Sequence, residues 1–345
     1  MSYQARIQKV QQIISNAACE LFLVDHPLNL YYLTGLSLSA GKMLVWKDKE
    51  PTLVVDNRYY EMCIRKTNFP VMLAEKFKME EALQGVSRLG FDSENTSYQN
   101  YLNLQKLLKN IQLVPLNNPL LKIRCFKDEE EIKYLKEAAA LGKRGYEHVK
   151  GLLEEGISEK TLAIELEIFW KTQGGEGLAF EPIIAFGENS AMPHYRAGDT
   201  QLKRGDTVLM DMGVKWKAYH SDLSRTLFWG DPPAKMQEIY SIVQEAQTRA
   251  IQACRPGVLI GDLDDIARGY ITEKGFGEQF LHSLGHGVGL EIHEWPILRN
   301  KDPYHNQPLQ DGMVITIEPG IYIPGMGGVR IEDMVHITND GFEVF

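Results

Sequence analysis

The sequence predicts two domains, an α/β domain over residues 1–122 and an α+β domain over residues 123–345. Three observations carry this reading. Residues 1 to about 120 alternate short apolar runs with helical patterns, as helices packed on one sheet do. Beyond about residue 125 the helical patterns come in pairs, each pair followed by strands. The 345-residue chain is 44% hydrophobic and 24% charged, enough for two cores at about 150 residues per domain.

In the first domain the strands are "LFLVD" (21–25), "KMLVW" (42–46), "PTLVV" (51–55), "FPVML" (69–73), "RLGFD" (88–92) and "IQLVP" (111–115). Residues 4–18, 57–66, 78–87 and 97–109 have helical periodicity. Ile7, Val10, Ile13 and Ile14 fall on one helical face with charges between, so the N-terminus lacks the apolar core of a signal peptide. No glycine-rich loop sits at a strand-to-helix junction, which argues against phosphate binding there.

The second domain begins near Ile123–Lys127, just before "CFKDEEEI". Asp128 is an N-cap there, and the dipole of the helix start favours Glu129, Glu130 and Glu131. That acidic cluster is therefore a helix start and not a metal site. Helices are expected over 128–150 and 158–173, then over 232–254 and 261–274. Strands are expected in "PIIAFG" (182–187), "TVLMDMG" (207–213), "SDLSRTLFW" (221–229), "MVITIEPGIYI" and "GGVRIEDMVHIT".

Composition excludes several classes. The formal net charge is -9 and basic residues form no long run, so a sequence-independent grip on nucleic acid is not expected. No stretch approaches about 20 apolar residues, so no membrane span is expected. Cys19, Cys63, Cys125 and Cys254 are far apart without a CxxC pair, which fits reduced, buried thiols. These features suit a soluble cytoplasmic enzyme.

An internal echo points to the chemistry. "GDTVLMDMG" (205–213) and "GMVITIEPG" (312–320) align Gly205 with Gly312, Asp211 with Glu318 and Gly213 with Gly320. Each is an apolar strand ending in a carboxylate, where an unpaired charge would cost several kcal/mol. Asp222 follows Asp211 at a distance of eleven residues, and a reversal at Trp216–Lys217 would set the two aspartates face to face. Glu332 follows Glu318 after "PGMGG" in the same manner. Four converging carboxylates repel one another, and divalent cations resolve the conflict.

A nitrogen ligand is available in "FLHSLGHGVGLEIHE" (280–294), which offers His282, His286 and His293. His286 lies between Gly285 and Gly287, where the backbone can approach a site closely. An oxygen-rich set with one histidine suits Mn²⁺, Co²⁺, Zn²⁺ or Fe²⁺, and the sequence does not choose among them.

The order "DMG", "YHSDLSRT", "HSLGHGVGLEIHE", "TIEPGIY" and "GVRIED" strongly resembles the pita-bread metallopeptidases, in the Xaa-Pro dipeptidase and aminopeptidase P branch. The resemblance runs from about Ile123 to the end, and "NLYYLTGL" (29–36) extends it into the creatinase-like N-terminal domain of that branch. It implies five metal ligands, Asp211, Asp222, His286, Glu318 and Glu332, holding two divalent ions, foremost Mn²⁺. It implies that His194, in "AMPHYRAGD", lies near the substrate and that His293 stabilises the tetrahedral intermediate. His282, Tyr322 and Arg330 match residues around the site. His148, His220, His305 and His336 fall outside the set and are expected to be structural.

The function implied is hydrolysis of the peptide bond before proline, with Glu318 as general base. Aminopeptidase P activity is favoured slightly over dipeptidase activity, because the sequence shows no device limiting substrates to two residues. A methionine aminopeptidase is disfavoured by the Arg-Ile-Glu-Asp at 330–333 and by the domain in front. A non-catalytic peptide binder is disfavoured by the intact ligand set. The resemblance also implies a homodimer and proline-containing peptides as substrates. Tyr195, directly after His194, departs from the family pattern and is expected to alter the substrate pocket.

Overall fold

The structure is a computed structural model and describes residues 3–345. It has two compact units, which part between Arg124 and Cys125.

The first unit is a mixed six-stranded sheet flanked by helices. Its strands are β1 (Leu21–Val24), β2 (Lys42–Trp46), β3 (Thr52–Val55), β4 (Val71–Leu73), β5 (Arg88–Asp92) and β6 (Gln112–Leu116), in the order β4-β3-β2-β1-β5-β6. β1 runs antiparallel to β2 and parallel to β5. The helices are α1 (Tyr3–Asn16), α2 (Pro27–Thr34), α3 (Asn57–Lys66), α4 (Met79–Ala82), α5 (Tyr98–Leu107) and α6 (Pro119–Arg124). α2 and α6 have no counterpart in the sequence reading. α2 starts on Pro27 and stops at Gly35, whose φ of 72° is left-handed. Between them Leu30, Tyr32 and Leu33 are buried together with the polar Asn29 and Thr34, so polar and apolar residues do not separate into faces and there is no period to read. The helix expected over 78–87 is only the single turn of α4.

The second unit repeats one plan twice. Helices α7 (Glu129–Gly151) and α8 (Glu159–Thr172) precede strands β7 (Gly177–Leu178), β8 (Ile183–Phe186), β9 (Thr207–Met212), β10 (Val214–Trp216), β11 (Tyr219–His220) and β12 (Leu223–Phe228). Helices α9 (Ala234–Ala253) and α10 (Ile260–Glu273) precede β13 (Gly285–Gly287), β14 (Glu294–Leu298), β15 (Val314–Ile317), β16 (Gly320–Ile323), β17 (Gly327–Arg330), β18 (Asp333–Thr338) and β19 (Gly341–Val344). The sheets are ordered β12-β9-β8, β11-β10-β7, β14-β13-β15-β18-β19 and β16-β17.

Each half buries its helix pair against its own strands. Leu141, Leu162, Leu166 and Trp170 pack with Ile184, Phe186, Val208 and Met210 in the first half. Ile239, Val243, Leu263 and Ala267 pack with Ile315, Ile317, Val329 and Val335 in the second. The echoed glycines do equivalent work: Gly205 and Gly312 hold φ of 94° and 84° just before β9 and β15. α7 opens with a capping box in which Asp128 accepts from the Glu131 backbone and the Glu131 side chain answers to Asp128. The "DEEE" cluster is thus a helix start. All four cysteines are buried and unpaired. Among the described residues no helix is long and apolar enough to cross a membrane.

Candidate metal centre

The carboxylates stand where strands end. β9 pairs with β12 so that Asp211 faces Ser224, not Asp222. The reversal is at Lys217–Ala218, one residue later than expected, with φ of 49° and 68° at non-glycine positions. The direct Asp211–Asp222 opposition is therefore corrected. A slip of two keeps every side chain on its face, so Asp222 is a diagonal neighbour of Asp211 on the same side. In the second half Ile317 pairs with Asp333 and Gly320 with Arg330. That shared register sets Glu318 opposite Glu332, in the break between the two ladders.

Nine of the side chains singled out in the sequence line one cavity of about 600 Å³: His194, Asp211, Asp222, His282, His286, His293, Glu318, Arg330 and Glu332. Its size is that of a small-molecule site. Ligand atoms of Asp222, His286 and Glu332 lie within 4.8 Å of one another. His286 Nε2 is 3.5 Å from Asp222 Oδ2 and 3.4 Å from Glu318 Oε1.

The protons at this point are decisive. His286 Nδ1 is 2.9 Å from the Gly287 carbonyl, which can only accept, so Nδ1 carries the hydrogen. Burial and the neighbouring His293 push the His286 pKa down to about 4, so the ring is neutral. Its Nε2 lone pair is therefore aimed at two carboxylates. Asp211 Oδ1 and Glu332 Oε1 are buried without a hydrogen-bond partner. Burial, then the mutual repulsion of the acids, raises Asp222 and Glu318 well above the usual carboxylate range. Burial, with Asp211, pushes Glu332 up to about 8. Every one of these features is unfavourable alone and favourable around a divalent cation, which accepts lone pairs and rewards ionised carboxylates. The residues fit the metal that the donor set implies.

Arg330 ties the centre together. It is 2% exposed and donates to Asp211 Oδ2, to Tyr322 Oη at 2.7 Å and to Ser224 Oγ at 3.0 Å. Ser224 donates in turn to Glu332 Oε2 at 2.8 Å. Arg330 thus orients Asp211 directly and Glu332 through Ser224. His282 Nδ1 lies 2.8 Å from the Ser283 carbonyl and donates to it. Burial, aided by Arg330, pushes the His282 pKa down to about 3, so Nε2 accepts from Tyr322 at 2.9 Å. The His293 ring stands edge-on to His286 at 4.5 Å, and burial lowers its pKa too. His194 is exposed at the cavity.

Sequence reasoning missed Ser224 and Thr316. Ser224 sits two residues past Asp222 on the same strand face, a spacing that could have flagged it. Thr316 Oγ1 accepts from the His286 backbone at 3.1 Å and donates to Glu318 Oε1 at 3.5 Å. Tyr195 acts in the wall of the cavity: its ring packs with Ile183, Leu209 and Tyr322, and its hydroxyl donates to the buried Glu159. The remaining histidines serve elsewhere. His148 stacks on Phe169 at 4.4 Å, and buried His220 meets the Gly289 carbonyl at 3.2 Å.

Comparisons with known proteins point to metallopeptidases. Residues 133–339 match the model of metallopeptidase family M24, and residues 6–126 match the creatinase/prolidase N-terminal domain. An Xaa-Pro dipeptidase of Pyrococcus furiosus is 39% identical over 97% of this chain and 96% of its own length. The solved Xaa-Pro dipeptidase from Bacillus anthracis is 35% identical, with a TM-score of 0.94 over 99% of this chain and 97% of that one. The X-Pro aminopeptidase from Thermotoga maritima is 31% identical, with a TM-score of 0.88 over 95% of each chain.

Proposed function

We propose that this chain, which belongs to metallopeptidase family M24 and carries that family's creatinase/prolidase N-terminal domain, is an Xaa-Pro dipeptidase using two divalent ions. The hydrolase reading rests on one observation, the His286 Nε2 lone pair facing the carboxylates of Asp222 and Glu318. The choice of dipeptide rests on relatives: the full-length relative at 39% identity is named a dipeptidase, and the aminopeptidase is the more distant one. The slight preference for aminopeptidase P drawn from the sequence is set aside on that ground.

Asp211, Asp222, His286, Glu318 and Glu332 would hold the ions, with Mn²⁺ the first choice for so oxygen-rich a set. Bound there, the ions would supply hydroxide at neutral pH and polarise the scissile carbonyl. Glu318 takes the proton released from water and passes it to the proline nitrogen as the C–N bond breaks. That nitrogen leaves only when protonated, since the bare amide anion is too basic to depart. His293, neutral and on the cavity wall, donates to the oxygen that gains charge. His194, beside it on the cavity wall, shields the reacting bond from solvent. Arg330, Ser224 and Tyr322 keep the carboxylates in place. The same reading takes the protein to be a cytoplasmic homodimer, which light scattering on the purified chain tests.

The test of the reaction is turnover of Ala-Pro and Ala-Pro-Ala by the Mn²⁺-loaded protein. At least tenfold higher kcat/KM on Ala-Pro is expected. Faster cleavage of Ala-Pro-Ala would return the reading to an aminopeptidase.

A further inference from the structure

Two cationic side chains line the cavity, Arg196 and Arg330. Arg330 is buried and committed to Asp211, Tyr322 and Ser224. Arg196 is exposed, and no hydrogen bond or ion pair to it occurs among the described residues. Five acidic residues share the cavity, Glu181, Asp211, Asp222, Glu318 and Glu332. A substrate that brings another carboxylate into such a place needs a cation of its own.

The backbone on both sides of Arg196 is fixed while its guanidinium is left unused. Glu159 is fully buried and accepts from Tyr195 Oη at 2.8 Å and from the Gly198 amide at 3.1 Å. The Lys160 amide donates to the Gly198 carbonyl at 2.9 Å. Glu159 also accepts from the Phe186 amide at 2.8 Å, which ties this segment to β8. A carboxylate spent on holding a loop, and a cation held at the cavity without a partner, together make a prepared anion site.

We infer that Arg196 binds the C-terminal carboxylate of the dipeptide substrate and so determines the preference for two-residue peptides. This rests on the dipeptidase reading above and deepens it. The guanidinium suits the task because its planar fork matches a carboxylate with two parallel hydrogen bonds. A tripeptide carries its carboxylate one residue further along and replaces it at the proline with a neutral amide. Arg196 then has no anion to meet.

The experiment compares Ala-Pro with Ala-Pro-amide, which lacks the charge, on Mn²⁺-loaded wild type, Arg196→Gln and Arg196→Lys. The side chain is exposed and unbonded, so thermal unfolding of both variants should match wild type. Wild type should prefer the free acid, and Arg196→Gln should lose at least about tenfold of that preference, mainly through KM. Arg196→Lys should retain part of it. An unchanged preference in Arg196→Gln, or none in wild type that cleaves Ala-Pro, overturns this inference alone. Wild type that cleaves Ala-Pro-Ala but not Ala-Pro overturns the dipeptidase reading and this inference with it.

Discussion

His286 Nε2 stands 3.4 Å from Glu318 Oε1, and because Nδ1 spends its hydrogen on the Gly287 carbonyl, Nε2 turns a lone pair towards that carboxyl group. Neither group reaches its charged form unaided. Protonating His286 is opposed by burial, and ionising Glu318 is opposed by burial and by Glu332. A divalent cation accepts the Nε2 lone pair and favours the ionised Glu318.

This makes the metal-free protein sensitive to pH with a defined sign. The folded-state pKa of Glu332 is raised to about 8 from 4.5, so its contribution is intact at low pH and is lost as pH rises towards 8. His286 and His282 have folded values lowered to about 4 and about 3 from 6.5, so their contribution is lost as pH falls below 6.5. Above about pH 6.5 the histidine contribution levels off while the carboxylate contribution keeps falling, so the carboxylates set the slope up to about pH 8. Thermal unfolding after chelation should therefore show Tm falling across that window, and Mn²⁺ should remove the fall. A metal-free Tm that rises from pH 6.5 to 8 would contradict the assignment.

Replacing the base should separate chemistry from binding. Glu318→Gln keeps an oxygen ligand but cannot relay a proton. We expect kcat on Ala-Pro to fall by about 10²–10⁴. Metal analysis of the same sample should still find bound Mn²⁺. Activity within a fewfold of wild type would remove Glu318 from the proton path.

Arg330 should matter to folding as well as to turnover. Arg330→Met leaves the largely covered Asp211 carboxylate beside no counter-charge and strips a donor from Ser224 and Tyr322. Removing one partner of a buried charge pair costs about 3–5 kcal/mol, to be read from urea unfolding. Ser224→Ala should be milder in stability and should weaken Mn²⁺ binding, since Glu332 Oε2 loses its donor. A neutral effect of Arg330→Met in both assays would show that the network is dispensable.

The α7–α8 contact offers a check of packing remote from the metal. A Cβ on Gly145 would collide with the Trp170 ring, whose Nε1 donates to the Leu141 carbonyl at 3.0 Å. Gly145→Ala should destabilise by about 1–3 kcal/mol despite its better helix propensity. A gain in stability would show that the helices can separate to admit a methyl group.

Much of this centre was legible in the chain because strands write their facing in a period of two. Asp211 and Glu318 interrupt apolar runs at matching positions, and the repeated Gly-to-carboxylate spacing marks both ends. What escaped reading is what depends on register. The reversal at Lys217–Ala218 uses left-handed residues that are neither glycine nor asparagine, so the turn carries no local signal. With the register displaced, Asp211 meets Ser224, and the serine's link between Arg330 and Glu332 spans 106 and 108 positions. α2 stayed hidden for the opposite reason: it carries no charge and buries its polar Asn29 and Thr34 along with Leu30, Tyr32 and Leu33, so no polar face marks it.

Titration of Mn²⁺ into metal-free protein, followed by calorimetry, bears on the core of the account most directly. Two ions per chain are expected for wild type, with the stoichiometry or the affinity collapsing in His286→Ala and Glu332→Gln. No binding to wild type, or the same binding in all three proteins, would mean that these side chains do not hold the metal.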